Sequence, residues 1–353
     1  MSSVSKGIWS NFARRSQSLA LRNRNLQKAL LSPTLPHGPV SLKKRSSKDK
    51  YQSPIGMDEI YPLAYQYLES QSEKTYKKIE EIEKQLEEVA DSTTKSQLKD
   101  RKTQLEVDAE VNNPEIIYNS LFGTNSIDRT QPVYRHYLEK QWKDYGRMLI
   151  MQRLETLAVI PDTLATLDPQ VDVRLKFPGN NIERWIEPGD ILSSNATCRP
   201  PSLEVIEFKE SKNDLYTVLI VDPDTPDVEN DSFSTTLHWG LKNVALSNED
   251  GVIDAKKLVG NPEYEFVSYL PPTPEKNTGN HRIAVWVFRQ AEGKKVDEGA
   301  VERGSFDIRK FAEENELTAV GAHLWRSVWD RNTENVRKMY GLGRGRIFSR
   351  DRN

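Results

Sequence analysis

The chain has 353 residues, 29% of them charged and 36% apolar, which is enough for about two domains with separate cores. Its one cysteine, Cys198, excludes an internal disulfide and a cysteine-based zinc site, and no apolar run reaches the roughly 18–20 residues of a membrane-spanning helix. The net charge of −2 hides a division: residues 1–50 hold eleven Lys and Arg against one acid, Asp49, a net of +10, so the remainder carries −12.

Residues 1–30 are rich in Ser and Arg, contain no acid, and place Ile8, Phe12 and Leu19 among basic residues at near-helical spacing. That composition predicts a transit peptide and import into the mitochondrial matrix. A basic arm that holds nucleic acid is the other reading, and the two are compatible. Residues 31–57, with Pro33, Pro36, Pro39, Pro54 and the run KKRSSKDK, read as an extended linker.

A helical extension is expected over residues 58–160. Ile79, Ile82, Leu86 and Val89 recur at 3-4-3 spacing, DSTTKS interrupts at 91–96, and Leu98 and Leu105 resume one heptad apart. Either a helical hairpin or a broken helix fits 63–111. A short helix follows, with Asn113 as cap, Pro114 in the first turn and Gly123 as terminator. A longer one then places Tyr134, Leu138, Trp142, Tyr145, Met148 and Leu149 near one face.

From about residue 165 the pattern changes. VDVRLKF alternates strictly, and β-rich runs YTVLIV, TTLHWGLKNV, YEFVSYL and HRIAVWVF recur between Pro, Gly and Asn breaks. Helical pattern returns only at 305–317 and 323–340. Strands without intervening helices predict an antiparallel sandwich.

VDPDTPD at 221–227 puts Asp222 and Asp224 two apart at the end of an apolar strand, and His238, His281 and Arg282 stand in runs that could neighbour it. Such aspartates more often accept backbone N–H bonds of their own turn. No His-x-His or Glu-x-x-His spacing supports a metal, and no phosphate loop or nucleophile motif appears. Neither catalysis nor a cofactor is expected.

In this order the segments resemble the phosphatidylethanolamine-binding protein family. The resemblance is carried by IEPGDIL, RPPSLEV, VDPDTP, LHW, PP…TGNHR and RGSFDIRKFAEENELTAVGAHLWRSVWD, and spans 165–335. It implies a mainly β fold, an antiparallel sandwich with peripheral helices, and an anion pocket lined by the Asp222, Asp224, His238, His281 and Arg282 positions. The departures argue that the pocket is degenerate. Ser268 and Leu270 stand where the family carries glycines, filling space that backbone N–H groups would use to approach a phosphate. Ile283 replaces an aromatic residue, the loop TPEKN is long, and DVEND puts acids where Ser-Arg is usual. The aspartates are then retained as architecture.

Leader, helical extension and basic tail together resemble the fungal form of the family's branch in the mitochondrial large ribosomal subunit. That branch implies a structural, non-catalytic role in the central protuberance, contacting ribosomal RNA and neighbouring proteins, with no small-molecule substrate. The tail, residues 336–353, offers Arg344, Arg346, Arg350 and Arg352 between glycines as RNA-phosphate contacts. The alternative is a soluble module that binds phospholipid head groups or inhibits a kinase or protease.

Overall fold

The computed structural model describes residues 44, 46, 57–89, 91–122, 127–178, 184–211, 214–248, 250–291, 294–297 and 301–349. The expected leader, nearly all of the linker, Gly123, Arg350 and Arg352 lie outside the described residues. Two compact units divide between Leu138 and Glu139.

In the first unit, α1 (Met57–Glu88) and α2 (Ser92–Glu110) form a hairpin. Lys102 Nζ meets Glu83 Oε1 at 2.8 Å, and the Tyr76 hydroxyl donates to Glu110, a pairing that only antiparallel helices allow. The stripe buries Ile79 and Ile82 on α1, and Val107 and Ala109 are buried on α2, while Leu86, Val89, Leu98 and Leu105 are half-buried. Asp91 separates the helices: its carboxylate accepts from Thr94 N at 3.1 Å and from the Thr93 and Thr94 hydroxyls at 2.7 and 2.6 Å. The Thr94 and Thr93 hydroxyl bonds hold its carboxyl down at about 2. α3 (Pro114–Phe122) opens as its sequence predicts, with Asn113 Oδ1 accepting from Glu115 N at 3.0 Å. Ile116 packs with Val133 and Tyr134 of α4 (Pro132–Gln141).

A π-helical turn, Trp142–Gly146, follows, and then α5 (Arg147–Thr156). The expectation that Tyr145 and Met148 face inward with Trp142 fails: they are 68% and 61% exposed. A π turn holds about one residue more than an α turn, so the inward positions advance by one. Ile150 and Leu154 are buried instead. A Cβ at Gly146 would lie 2.8 Å from Trp142 Cδ1, and the Trp142 ring packs on Phe208 at 5.1 Å between centroids.

Among the described residues the sandwich has nine strands: β1 (Asp172–Lys176), β2 (Ile191–Leu192), β3 (Ser202–Ile206), β4 (Asp214–Asp227), β5 (Ser232–Leu246), β6 (Val252–Ile253), β7 (Glu265–Val267), β8 (Asn280–Arg289) and β9 (Thr318–Val328). One sheet runs β1-β3-β6 and the other β2-β9-β8-β4-β5-β7. Every pairing is antiparallel except that of the two-residue β2, which runs parallel to β9. Four short helices accompany them among the described residues: α6 (Val159–Asp162), α7 (Ala255–Leu258), α8 (Ile308–Glu314) and α9 (Thr333–Met339).

The alternation of VDVRLKF puts Val173 and Leu175 into a core between the sheets, with Val205, Ile220, Trp239, Ile283, Val285 and Trp325. The opposite face of the larger sheet presents Leu219, Val221, Leu237, Trp286 and Phe288, covered by Ile150 and Leu154 of α5 and Ile308 and Phe311 of α8. β9 therefore lies between two apolar layers. That explains why helix was expected over 323–340, whereas the chain forms β9 and then the short α9. A strand buried on both faces loses its alternation, and AVGAHLW offers no period of two.

Candidate functional site

Pairing of β4 with β8 ends at Val221 opposite Ala284, whereas pairing with β5 continues to Asp227 opposite Ser232. The VDPD stretch is thus still strand, not the turn that its prolines suggest. A register shift between Asp222 and Thr225 interrupts the ladder there. It sends the two carboxylates to different neighbours on β8.

Asp222 is 4% exposed and accepts from His281 Nδ1 at 2.7 Å through Oδ2. Its Oδ1 accepts from Asp224 N at 2.8 Å, bracing the strand at the register shift. His238, 5% exposed on β5, places Nε2 3.8 Å from Asp222 Oδ2, beyond hydrogen-bond distance, and donates from Nδ1 to the Leu270 carbonyl at 2.7 Å. Burial pushes the Asp222 carboxyl up. The two imidazoles, His238 and His281, outweigh that and hold it well below the usual carboxylate range.

On its other side His281 Nε2 lies 2.9 Å from the Thr278 hydroxyl, so hydroxyl, imidazole and carboxylate stand in the order of an activated nucleophile. The Thr278 hydroxyl, however, lies 2.9 Å from the Glu275 carbonyl and donates to it, closing the turn that feeds β8. The series serves that turn.

Asp224 takes a fork from Arg282: Nε donates to Oδ2 at 2.9 Å and Nη2 to Oδ1 at 2.5 Å, while Arg282 N donates to Oδ2 at 2.8 Å. Nη1 of the same guanidinium donates to the carbonyls of Leu157 and Ala158 at 2.9 and 2.8 Å and to Asp162 at 2.7 Å. The Asp224 bonds raise the Arg282 pKa above its ordinary value, against burial. Every donor of this arginine named here is spent on the protein itself, tying residues 157–162 to β8.

The structure therefore brings together Asp222, His238 and His281 in one cluster and Asp224 with Arg282 in another. The substituted positions are occupied as well. Leu270 N donates to the His238 carbonyl at 2.8 Å, Ile283 is fully buried in the inter-sheet core, and Ser268 is held by Arg303. Arg303 donates from Nη2 to Ser268 O and Oγ at 2.5 and 2.7 Å, and from Nη1 to the His238 carbonyl at 3.3 Å. Sequence reasoning missed Thr278 and Arg303. Spacing from His281 is a signal for Thr278, and Arg303 opens the RGSFDIRK segment that carries part of the resemblance, but nothing in that segment shows that it reaches Ser268. Among the described residues no group of three His, Cys, Asp or Glu side chains could hold a metal ion, and no helix is long and apolar enough to cross a membrane.

The remaining candidates lie in the tail. Arg344 and Arg346 are exposed, but the segment is not a free arm as its glycines suggest, because Phe348 N donates to the Lys276 carbonyl at 3.0 Å and residue 347 bridges residue 276.

The family model "Phosphatidylethanolamine-binding protein" matches residues 178–325. "Large ribosomal subunit protein mL38" of Schizosaccharomyces pombe is 35% identical over 277 residues, covering 77% of this chain and 83% of that protein. The chain belongs to the phosphatidylethanolamine-binding protein family, with its mL38 members. "Protein MOTHER of FT and TFL1 homolog 2" of Oryza sativa is 31% identical over 139 residues, 38% of this chain and 70% of that protein. A solved phosphatidylethanolamine-binding protein from Plasmodium vivax aligns at 19% identity and a TM-score of 0.40, over 51% of this chain and 97% of that one. Within the family domain, strands β4, β5 and β8 carry all five expected pocket residues, and each is engaged by the protein's own groups.

Proposed function

We propose that this chain is a structural constituent of the mitochondrial large ribosomal subunit, seated in its central protuberance, and that its ligand pocket is a degenerate one kept for architecture. The observation that carries the reading is the extent of likeness to a large-subunit ribosomal protein: 277 aligned residues, against a family domain confined to 178–325. The likeness therefore takes in much of the chain outside the binding-protein domain. A module that only captured head groups would have no need of those segments.

The site agrees with that reading. An anion pocket needs unspent donors, yet Arg282 is committed to Asp224 and Asp162, and Arg303 to Ser268. The buried Asp222 carboxylate adds a negative charge facing any phosphate, and the half-buried Asp227 and the exposed Glu229 and Asp231 stand on the same hairpin. On this reading residues 1–30 direct import, 58–160 and the acidic faces of 165–335 meet neighbouring proteins, and the basic tail meets RNA.

The test is sedimentation of the tagged full-length protein from mitochondrial lysate through a salt-step series. Co-migration with the large subunit at low salt is expected, with release as salt screens the phosphate contacts. A protein that stays at the top of the gradient at every salt, and that binds phosphoethanolamine at micromolar concentration, would replace this function by the head-group-binding one.

A further inference from the structure

The described part of the tail is folded back onto the sandwich. After α9 the Tyr340 hydroxyl donates to the Cys198 carbonyl at 2.6 Å, and Gly341 turns the chain at a φ of +67°. Arg337 Nε donates to the Gly343 carbonyl at 2.9 Å across that turn. Residues 346–348 then run beside 275–277. Lys276 N donates to Arg346 O at 3.3 Å, Arg346 N donates to Glu275 Oε1 at 3.0 Å, and Asn277 Nδ2 donates to Phe348 O at 2.6 Å.

The loop that receives the tail is TPEKN, whose length has no use in the pocket as described. It ends at Thr278, where the buried series Thr278–His281–Asp222 begins. The pocket's imidazole and carboxylate thus stand one and two hydrogen bonds behind the turn that grips the tail.

We propose that this clasp converts the tail into an ordered edge for the sugar–phosphate backbone of RNA, with Asp222, His281 and Thr278 as its positioning residues. Arg344 and Arg346 stand two residues apart just ahead of the bridge at residue 347, and both are exposed. Guanidinium forks match phosphate oxygens, and a backbone fixed in advance loses less freedom on binding than a free arm. The inference rests on the RNA-contact reading of the tail.

The experiment uses the full-length protein and reads the clasp apart from RNA. Thr278→Val keeps the shape of the side chain and removes the hydroxyl. Amide exchange at Lys276 and Phe348, and trypsin cleavage after Arg344 and Arg346, should rise by roughly five- to ten-fold, the effect of one net hydrogen bond, with the central β8 amides unchanged. Asp222→Asn, which leaves an acceptor for His281, should give a smaller rise in the same amides and covers the case in which Thr278→Val does not fold. Exchange at Lys276 and Phe348 equal to wild type in both variants would overturn the clasp.

Binding to a 20-nucleotide poly(U) strand is then followed against salt. Replacing Arg344 and Arg346 by Gln should reduce the slope of log affinity against log salt by about 1.4, whereas Thr278→Val should lower affinity with the slope kept. A clasp that loosens as expected in a protein whose poly(U) affinity ignores both arginines would overturn the RNA edge alone.

Discussion

His323 sits on β9, 3% exposed, and donates from Nε2 to the Ile186 carbonyl at 3.1 Å. Burial lowers its pKa from 6.5 to about 4. Between those values the unfolded chain binds the proton that the folded imidazole refuses. The contribution is complete above pH 6.5 and is lost as pH falls towards 4. At pH 5 the loss is about 2 kcal/mol relative to neutral pH. His323→Gln keeps a donor for Ile186 and should remove that part of the acid sensitivity, read as denaturant unfolding of the sandwich at pH 7.5 and pH 5 by tryptophan fluorescence. Equal losses in wild type and variant would show that the imidazole is not the group that titrates. His281 illustrates the other fate of a buried histidine, since its Nδ1 faces a carboxylate at 2.7 Å. Sequence analysis singles out His281 and passes over His323, and it cannot tell their environments apart, because those come from strands far away in the chain.

Elements obey their local signals where those signals are local in cause. Asn113 caps the start of α3, as its sequence predicts, and Asp91, in the DSTTKS interruption, caps α2, through bonds to residues two and three ahead respectively. The π turn is a different case, because it is chosen by packing of Trp142 on Phe208. Gly146 tests this at the element scale. In an ordinary exposed helix Gly→Ala stabilises by about 1 kcal/mol. Here the new Cβ would meet Trp142 Cδ1 at 2.8 Å, so Gly146→Ala should destabilise by about 1–2 kcal/mol. A thermal melt of the full chain decides the sign, and a raised midpoint would mean that the indole moves aside freely. β9 makes the same point for strands. Its residues 320–325 are buried without a break, so its period disappears and its sequence looks helical.

For the molecule as a whole, charge divides the chain more sharply than fold does, with +10 in residues 1–50 and −12 in the rest. A body of that sign repels RNA over most of its surface and meets it through local basic segments. Residues 1–30 fused to a fluorescent reporter should send it to the matrix. Replacing Arg14, Arg15, Arg22 and Arg24 by Gln should leave the reporter in the cytosol. Matrix delivery of the substituted leader would show that its basic charge is not the signal.

The sequence by itself determined the strands that keep one wet face, the helix caps, the leader's charge and the order of motifs that places the chain in its family. Each depends on residues close together in the chain or on their order. Only the tertiary structure decided the fate of the pocket and the tail. The bond from Arg303 to Ser268, the fork from Arg282 to Asp224 and the pairing of Phe348 with Lys276 join segments tens of residues apart. A hydrogen bond depends on distances of about 3 Å between atoms, and no local pattern records which distant segment the fold will bring within that reach.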